Sequence, residues 1–413
     1  MENKLTQLAF YVLSSFFLLT LILRLFNLIN IDLHILQIMS VVFLLSGICC
    51  AGRIKTNGFD ILVFVYLAYM LLNGLLIDYN YHGEFLYRAL LAHVFPVMCY
   101  FIGRYINIDI SIYLDKMKWP LLFAMICGIV FYYLHPSWYV VMKESQIGEY
   151  ANEMSISGVY RLSSFWEHPY NLGYATLLYS LWLTYRVILG FDKTKDLFFS
   201  IVTLFICIVV LMLAQLRVTI VVYVLCLIYM LIFARKELIS QKIKKILLVF
   251  FVFFVFAFLF VQFASDSLGY INDHMLNLTE ENSMSDRFEH TAGGVRLYTF
   301  WGDGLGRYGY PAREHGMWAI VDHEFQCHVA ELGYLGVFVL CCVISLTIVR
   351  CIKRRYLVVE NSILLFFFIA MLGASVLSNA HQYNYIFWYT LGIVWSNNYK
   401  KIDNEYNYEN STC

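Results

Sequence analysis

The sequence predicts an all-α, polytopic transmembrane bundle of about twelve spans with one large extracytoplasmic loop, and three observations lead there. Of the 413 residues 61% are hydrophobic and only 14% charged, whereas soluble domains carry about 25% charged residues. The charges are grouped, and between the groups run apolar stretches of about 17–22 residues, the length a helix needs to cross about 30 Å of hydrocarbon with its backbone hydrogen bonds satisfied internally. The basic residues, finally, alternate in density from one inter-span segment to the next. A β-barrel would instead show segments of about 10 residues alternating apolar and polar.

Taken in order, the first run, about 5–23, follows Lys4 and lacks a small-residue cleavage site, so it reads as a retained span. Runs follow at about 33–51, 59–78, 86–105 and 119–134. An amphipathic outer segment, about 135–169, leads to runs at about 170–189, 196–214, 217–234 and 246–264. The large loop, about 265–328, is the only stretch long enough for a small subdomain outside the bilayer. Three runs at about 329–349, 360–379 and 384–399 then close the chain, leaving a short tail, 400–413.

With the N-terminus inside, the inner segments hold 20 of the 29 Lys and Arg, and the outer ones 9. Positive charge stays in the cytoplasm, so an even number of spans with both termini inside is expected. Of 11 Cys only Cys327 falls in an outer loop; an extracytoplasmic domain held by disulfides is excluded. All 11 His lie in or near outer segments, which assigns any proton chemistry to that face.

Four segments carry candidate chemistry. The first, Arg161-Leu162-Ser163-Ser164-Phe165, continues through His168-Pro169-Tyr170-Asn171-Leu172-Gly173, and its proline reads as a turn feeding a helix with His168 and Asn171 at the membrane surface. Arg217 sits between two spans with almost no loop. There it either snorkels to water or aims its guanidinium fork into a cavity as a phosphate clamp. The large loop carries ten acids against four arginines, so an anion site in it must use selected Arg in a defined pocket. Its cluster Gly302-Asp303-Gly304-Leu305-Gly306 lacks the βαβ setting of a dinucleotide loop and reads as a turn that brings backbone close to another element. The fourth segment runs from Asp322 and His323 through Glu331 and Gly333 to Gly336. It sets a potential general base at the outer mouth of a span and Glu331 about a turn into the helix, with glycines that permit close approach. His315, His323 and His328 lack paired ligand spacing, so no metal is expected.

In this order the segments resemble the O-antigen ligase and Wzy-type O-antigen polymerase superfamily. Arg161 to Gly173 is similar to its "R-hydrophobic-x-G-T-F-x-x-P-N-x-L-G" pattern, with Ser163-Ser164 in place of Gly-Thr and Tyr170 inserted. Arg217 stands where the family has Ser-Arg, with Leu216 replacing the Ser. Asp286-Arg287 followed by the Gly302–Gly306 cluster resembles the family's Arg before G-x-G-x-G, with Arg296 competing for that role. Asp322-His323 through Ala330-Glu331-Leu332-Gly333 resembles "(D/H)-N-x-(Y/F)-L…A-E-L-G-L-x-G", with His323 for Asn. The matches cover about residues 160–340.

The resemblance implies a glycosyltransferase-C-like bundle in the bacterial plasma membrane, without cofactor or metal. It would act on an undecaprenyl-diphosphate-linked oligosaccharide at the outer face, in contact with membrane lipid and with a chain-length regulator and flippase of the same pathway, and not on nucleic acid. Arg217 and Arg287 or Arg296 would hold the diphosphate, and Asp322 or His323 would deprotonate the acceptor. Arg161, His168, Asn171 and Glu331 are secondary candidates. The alternatives are a ligase that moves finished glycan onto a lipid or protein acceptor and a lipid-linked-oligosaccharide flippase. Against the flippase stand the absence of internal repeats and the asymmetric outer loop.

Overall fold

A computed structural model describes residues 42, 45, 55–78, 89–106, 110–147, 155–156, 159–166, 169–189, 194–214, 216–233, 299–308, 324–373 and 381–396. Helices stand at nine of the expected runs; those at 5–23 and 246–264, all of 33–51 but residues 42 and 45, and most of the large loop lie outside the described residues. Among the described residues four helical stretches, Gly58–Ile77, Met117–Leu134, Lys195–Leu213 and Glu324–Lys353, are long and apolar enough to cross a membrane, and Val218–Phe233 and Val358–Leu372 are shorter apolar helices. Many large apolar side chains face outward, among them Leu76, Phe198 and Ile352 at 69–73% exposure. Water would not tolerate such a surface, whereas lipid stabilises it. The protein is a helical membrane protein.

The chain forms two compact units: the described residues of Ile29–Tyr113 and Ser285–Cys413 make the first, those of Leu114–Met284 the second. In the first, α1 (Gly58–Asn73) continues through a wider π-type turn, Gly74–Asp78. A similar turn, Leu90–Val94, precedes α2 (Phe95–Tyr105). Asn57 and Asp60 start α1 as a capping box, each side chain accepting the other's backbone N–H at 2.8 Å. Asp60 also accepts Arg104 Nε at 3.1 Å and the Tyr100 hydroxyl. Both ends of the Asp60–Arg104 pair are buried, so each charge depends on the other.

In the second unit α3 (Ile110–Leu134, its first turn counted with the first unit) ends at His135, which takes a left-handed φ of 43° before Pro136. The segment that follows forms α4 (Ser137–Ile147) and a two-residue-per-strand hairpin, β1 (Ser155–Ile156) antiparallel to β2 (Val159–Tyr160). Its described residues continue in α5 (Pro169–Leu189), α6 (Thr194–Leu213) and α7 (Arg217–Phe233).

The first unit resumes with α8 (Glu324–Lys353), α9 (Val358–Gly373) and α10 (His381–Trp395). Its tightest contact joins α2 to α10: a Cβ at Gly103 would sit 2.1 Å from the Tyr389 carbonyl oxygen, and one at Gly392 2.1 Å from that of Tyr100. Only glycine at both positions lets the two backbones touch. At the α8–α9 turn, Arg354 donates to the Val394 and Ser396 carbonyls at 3.0 and 2.5 Å, satisfying the last turn of α10. The alternation of helices thus gathers Arg104, Arg350 and Arg354 at one end of this unit, while His93, Glu324, His328 and Glu331 lie at the other.

Candidate functional site

Each unit brings sequence candidates together in a polar constellation built from segments distant in the chain. In the second unit it is the turn Arg161–Trp166. The Leu162 N–H donates to the Leu213 carbonyl at the end of α6 at 3.1 Å, and Trp166 N–H closes back on Ser163 at 3.1 Å. Ser164, at a left-handed φ of 51°, donates its hydroxyl to the Ala124 carbonyl of α3 at 2.7 Å. The Lys143 ammonium of α4 donates to the Trp166 carbonyl and lies 5.4 Å from the centre of the Tyr139 ring. Burial pushes the Tyr139 hydroxyl up to about 12, and its hydrogen bond with Ser163 opposes that rise.

The helix that follows is seated on the same place. A Cβ at Gly173 would meet Leu216 Cδ1 at 2.3 Å and the Ala214 methyl at 3.9 Å. Leu216 in turn accepts the Thr219 N–H at 3.0 Å and its hydroxyl at 2.6 Å, tying down the first turn of α7. Arg217 is the first residue of that helix. The Arg161 segment, the start of α5 and the hairpin ahead of Arg217 therefore converge. Arg161 is half-buried, and its buried Nε has no hydrogen-bond partner among the described residues. A guanidinium in that condition is ready for an acceptor, and an anionic oxygen is the strongest one.

In the first unit the constellation is built on α8. The helix begins at Glu324, so Glu331 lies about two turns in, rather than the one turn expected, and Cys327 is a buried helical residue packed with Tyr308 and Ala330. Gly333 breaks the helix with φ 68° and ψ −177°. Into that break folds the loop 299–308: Asp303 and Gly304 N–H donate to the Ala330 and Glu331 carbonyls at 2.9 and 3.1 Å, and Tyr334 and Leu335 N–H donate to Thr299 and Phe300 at 3.3 Å. Gly302, Gly304 and Gly306 all have positive φ, 80°, 116° and 90°, so the loop uses their freedom to hug the helix. Gly333 was expected to admit a neighbouring helix. It admits this loop instead, and it is Gly336 that lies against a helix, at Tyr69 of α1.

Glu331, 1% exposed, accepts the Tyr308 N–H at 3.1 Å. The Tyr308 hydroxyl donates to Asp303 at 2.7 Å, and burial, with the adjoining Asp303 carboxylate, raises its pKa so that it stays a donor. One turn before Glu331, His328 Nδ1 lies 3.2 Å from the Glu324 carboxylate and 3.0 Å from the Glu324 carbonyl. The His93 ring stands edge-on to it, 5.7 Å between centres. Glu324, His93 and His328 are each under 5% exposed. The sequence reading passed over Glu324 and His93 in this role. The pattern Glu-x-x-x-His-x-x-Glu at 324, 328 and 331 places all three on one helix face and was the available signal. Such a buried acid–imidazole set can hold and move a proton.

Of the remaining sequence candidates, Asn171 lies in the first turn of α5, half-buried. His168, Arg287, Arg296, Asp322 and His323 lie outside the described residues, as does the Arg217 side chain. No protein-family model matches the chain, and no curated protein matches it.

Proposed function

We propose that this protein is a bacterial polysaccharide polymerase. It would transfer undecaprenyl-diphosphate-linked glycan onto a lipid-linked acceptor at the outer face of the plasma membrane, from a twelve-span, glycosyltransferase-C-like bundle with both termini in the cytoplasm. The observation that carries this reading is the pairwise meeting of its motif segments. Arg161–Trp166 packs on the hairpin that leads to Arg217, and Gly302–Gly306 packs on Glu331 and Gly333. Segments some 30–50 residues apart in sequence are brought together within each unit at the residues that carry the resemblance.

In this reaction the acceptor hydroxyl attacks the anomeric carbon of the donor. A new glycosidic C–O bond forms, the bond to the diphosphate breaks, and its electron pair leaves with the diphosphate. Arg217 and Arg287 or Arg296, with Arg161 in support, would stabilise the charge that grows on the leaving group. Asp322 or His323 would take the hydroxyl proton.

Gene disruption followed by gel separation of the surface glycan tests the reading. Single repeats attached to the final acceptor are the expected result. Full-length polymer stranded on undecaprenyl would instead identify a ligase. Arg217→Ala and Arg287→Ala should abolish chain extension while the protein still inserts, and undiminished polymer length in both would sink the diphosphate clamp.

A further inference from the structure

The ends of α3, α5 and α6 remote from the Arg161 turn enclose an open recess of about 100 Å³ that the proposed reaction does not use. Its charged lining is Asp115, Lys118, Arg186 and Asp196, beside Tyr179, Trp182 and Ser200. Among the described residues that line it, two carboxylates stand against two cations, so that lining is electrically balanced. A net anion or a net cation would meet as much repulsion as attraction there, whereas a molecule carrying both charges can satisfy both sets. The aromatic faces are already covered by cations: Arg186 lies 5.7 Å from the Trp182 ring centre, and Lys118 lies 4.2 Å from that of Phe199 and 5.2 Å from that of Trp119. Recognition of a ligand's cation therefore falls to Asp115 and Asp196, and favours one with N–H groups to donate.

The position of the recess narrows the class. Asp115 and Lys118 flank the start of the Met117–Leu134 stretch and Asp196 the start of Lys195–Leu213, two helices that are, among the described residues, long and apolar enough to span a bilayer. The recess thus opens at headgroup depth. Beside it, on the same helix ends, Trp119 is 63% and Phe198 69% exposed, an apolar rim suited to acyl chains.

We propose that this recess binds the headgroup of a phospholipid of the phosphatidylethanolamine class. The phosphate lies on the Arg186 fork and Lys118, the primary ammonium on Asp115 and Asp196, and the acyl chains along Trp119 and Phe198.

Native mass spectrometry of the full chain in detergent, titrated with phosphatidylethanolamine, phosphatidylcholine or phosphatidylglycerol, tests this. Phosphatidylethanolamine should be retained about tenfold over the other two, the worth of one added charge-assisted contact. Arg186→Gln and Asp196→Asn should each erase that preference; both side chains are exposed, and an unchanged elution profile checks the fold. Glycerophosphoethanolamine in excess should fail to displace the lipid, because it lacks the acyl chains. Equal retention of phosphatidylglycerol or phosphatidylcholine, a preference that survives both substitutions, or full displacement by glycerophosphoethanolamine would each overturn the proposal.

Discussion

Gly302 and Gly333 meet backbone to backbone: a Cβ on Gly302 would lie 2.5 Å from the Gly333 nitrogen, and one on Gly333 2.4 Å from the Gly302 nitrogen. Both also take positive φ. Alanine at either position would be strained in its backbone and would clash with main chain that cannot move aside. Gly302→Ala or Gly333→Ala should lower stability by at least about 2 kcal/mol and abolish polymer formation. Gly58→Ala, with nothing within 4 Å of its Cβ, should do neither. Thermal inactivation of the detergent-solubilised variants measures the first effect, and equal half-lives for all three would refute it.

The loop 299–308 also depends on Glu331. Glu331→Ala leaves the buried Tyr308 N–H without an acceptor, at a cost of about 1–3 kcal/mol. Glu331→Gln keeps an acceptor and should retain most of the loop's order. Amide hydrogen exchange at residues 303–308 should accelerate strongly in the alanine variant and only slightly in the glutamine variant. Equal exchange in both would mean the carboxylate does not hold the loop.

Asp60 and Arg104 are 2% and 4% exposed and joined at 3.1 Å. Asp60→Ala should destabilise by about 3–5 kcal/mol, because it strands a buried guanidinium. Adding Arg104→Met should recover much of that loss. A double-mutant cycle on melting temperature reads the coupling, and additive effects would argue against a mutually dependent pair.

Tyr139 makes an alkaline-pH prediction. Its folded pKa, raised to about 12 from 10.0, means the folded state holds this proton more tightly than the unfolded one. The resulting stabilisation is complete below the unfolded pKa and is lost as pH rises through the folded one. The window is therefore about pH 10 to 12, and the amount lost is about 2–3 kcal/mol. Tyr139→Phe should flatten that stretch of the stability curve relative to the parent. An unchanged slope would show that Tyr139 does not titrate there.

The sequence by itself determined the solvent and the elements. Its apolar runs and grouped charges predict helices at 59–78, 170–189 and 217–234, and helices stand there, because a chain in lipid must satisfy every backbone group within the segment. It also marked Gly302–Gly306 as a turn that presses backbone against another element. Which element that is, only the tertiary structure decided: the loop closes on a break at Gly333 that no local pattern announces, since a glycine within an apolar run reads equally well as helix. The partnering of Leu162 with Leu213, and of His328 with His93, was equally hidden. Periodicity reports which face of a helix is buried but not what it is buried against, and that choice is made by packing between segments far apart in the chain.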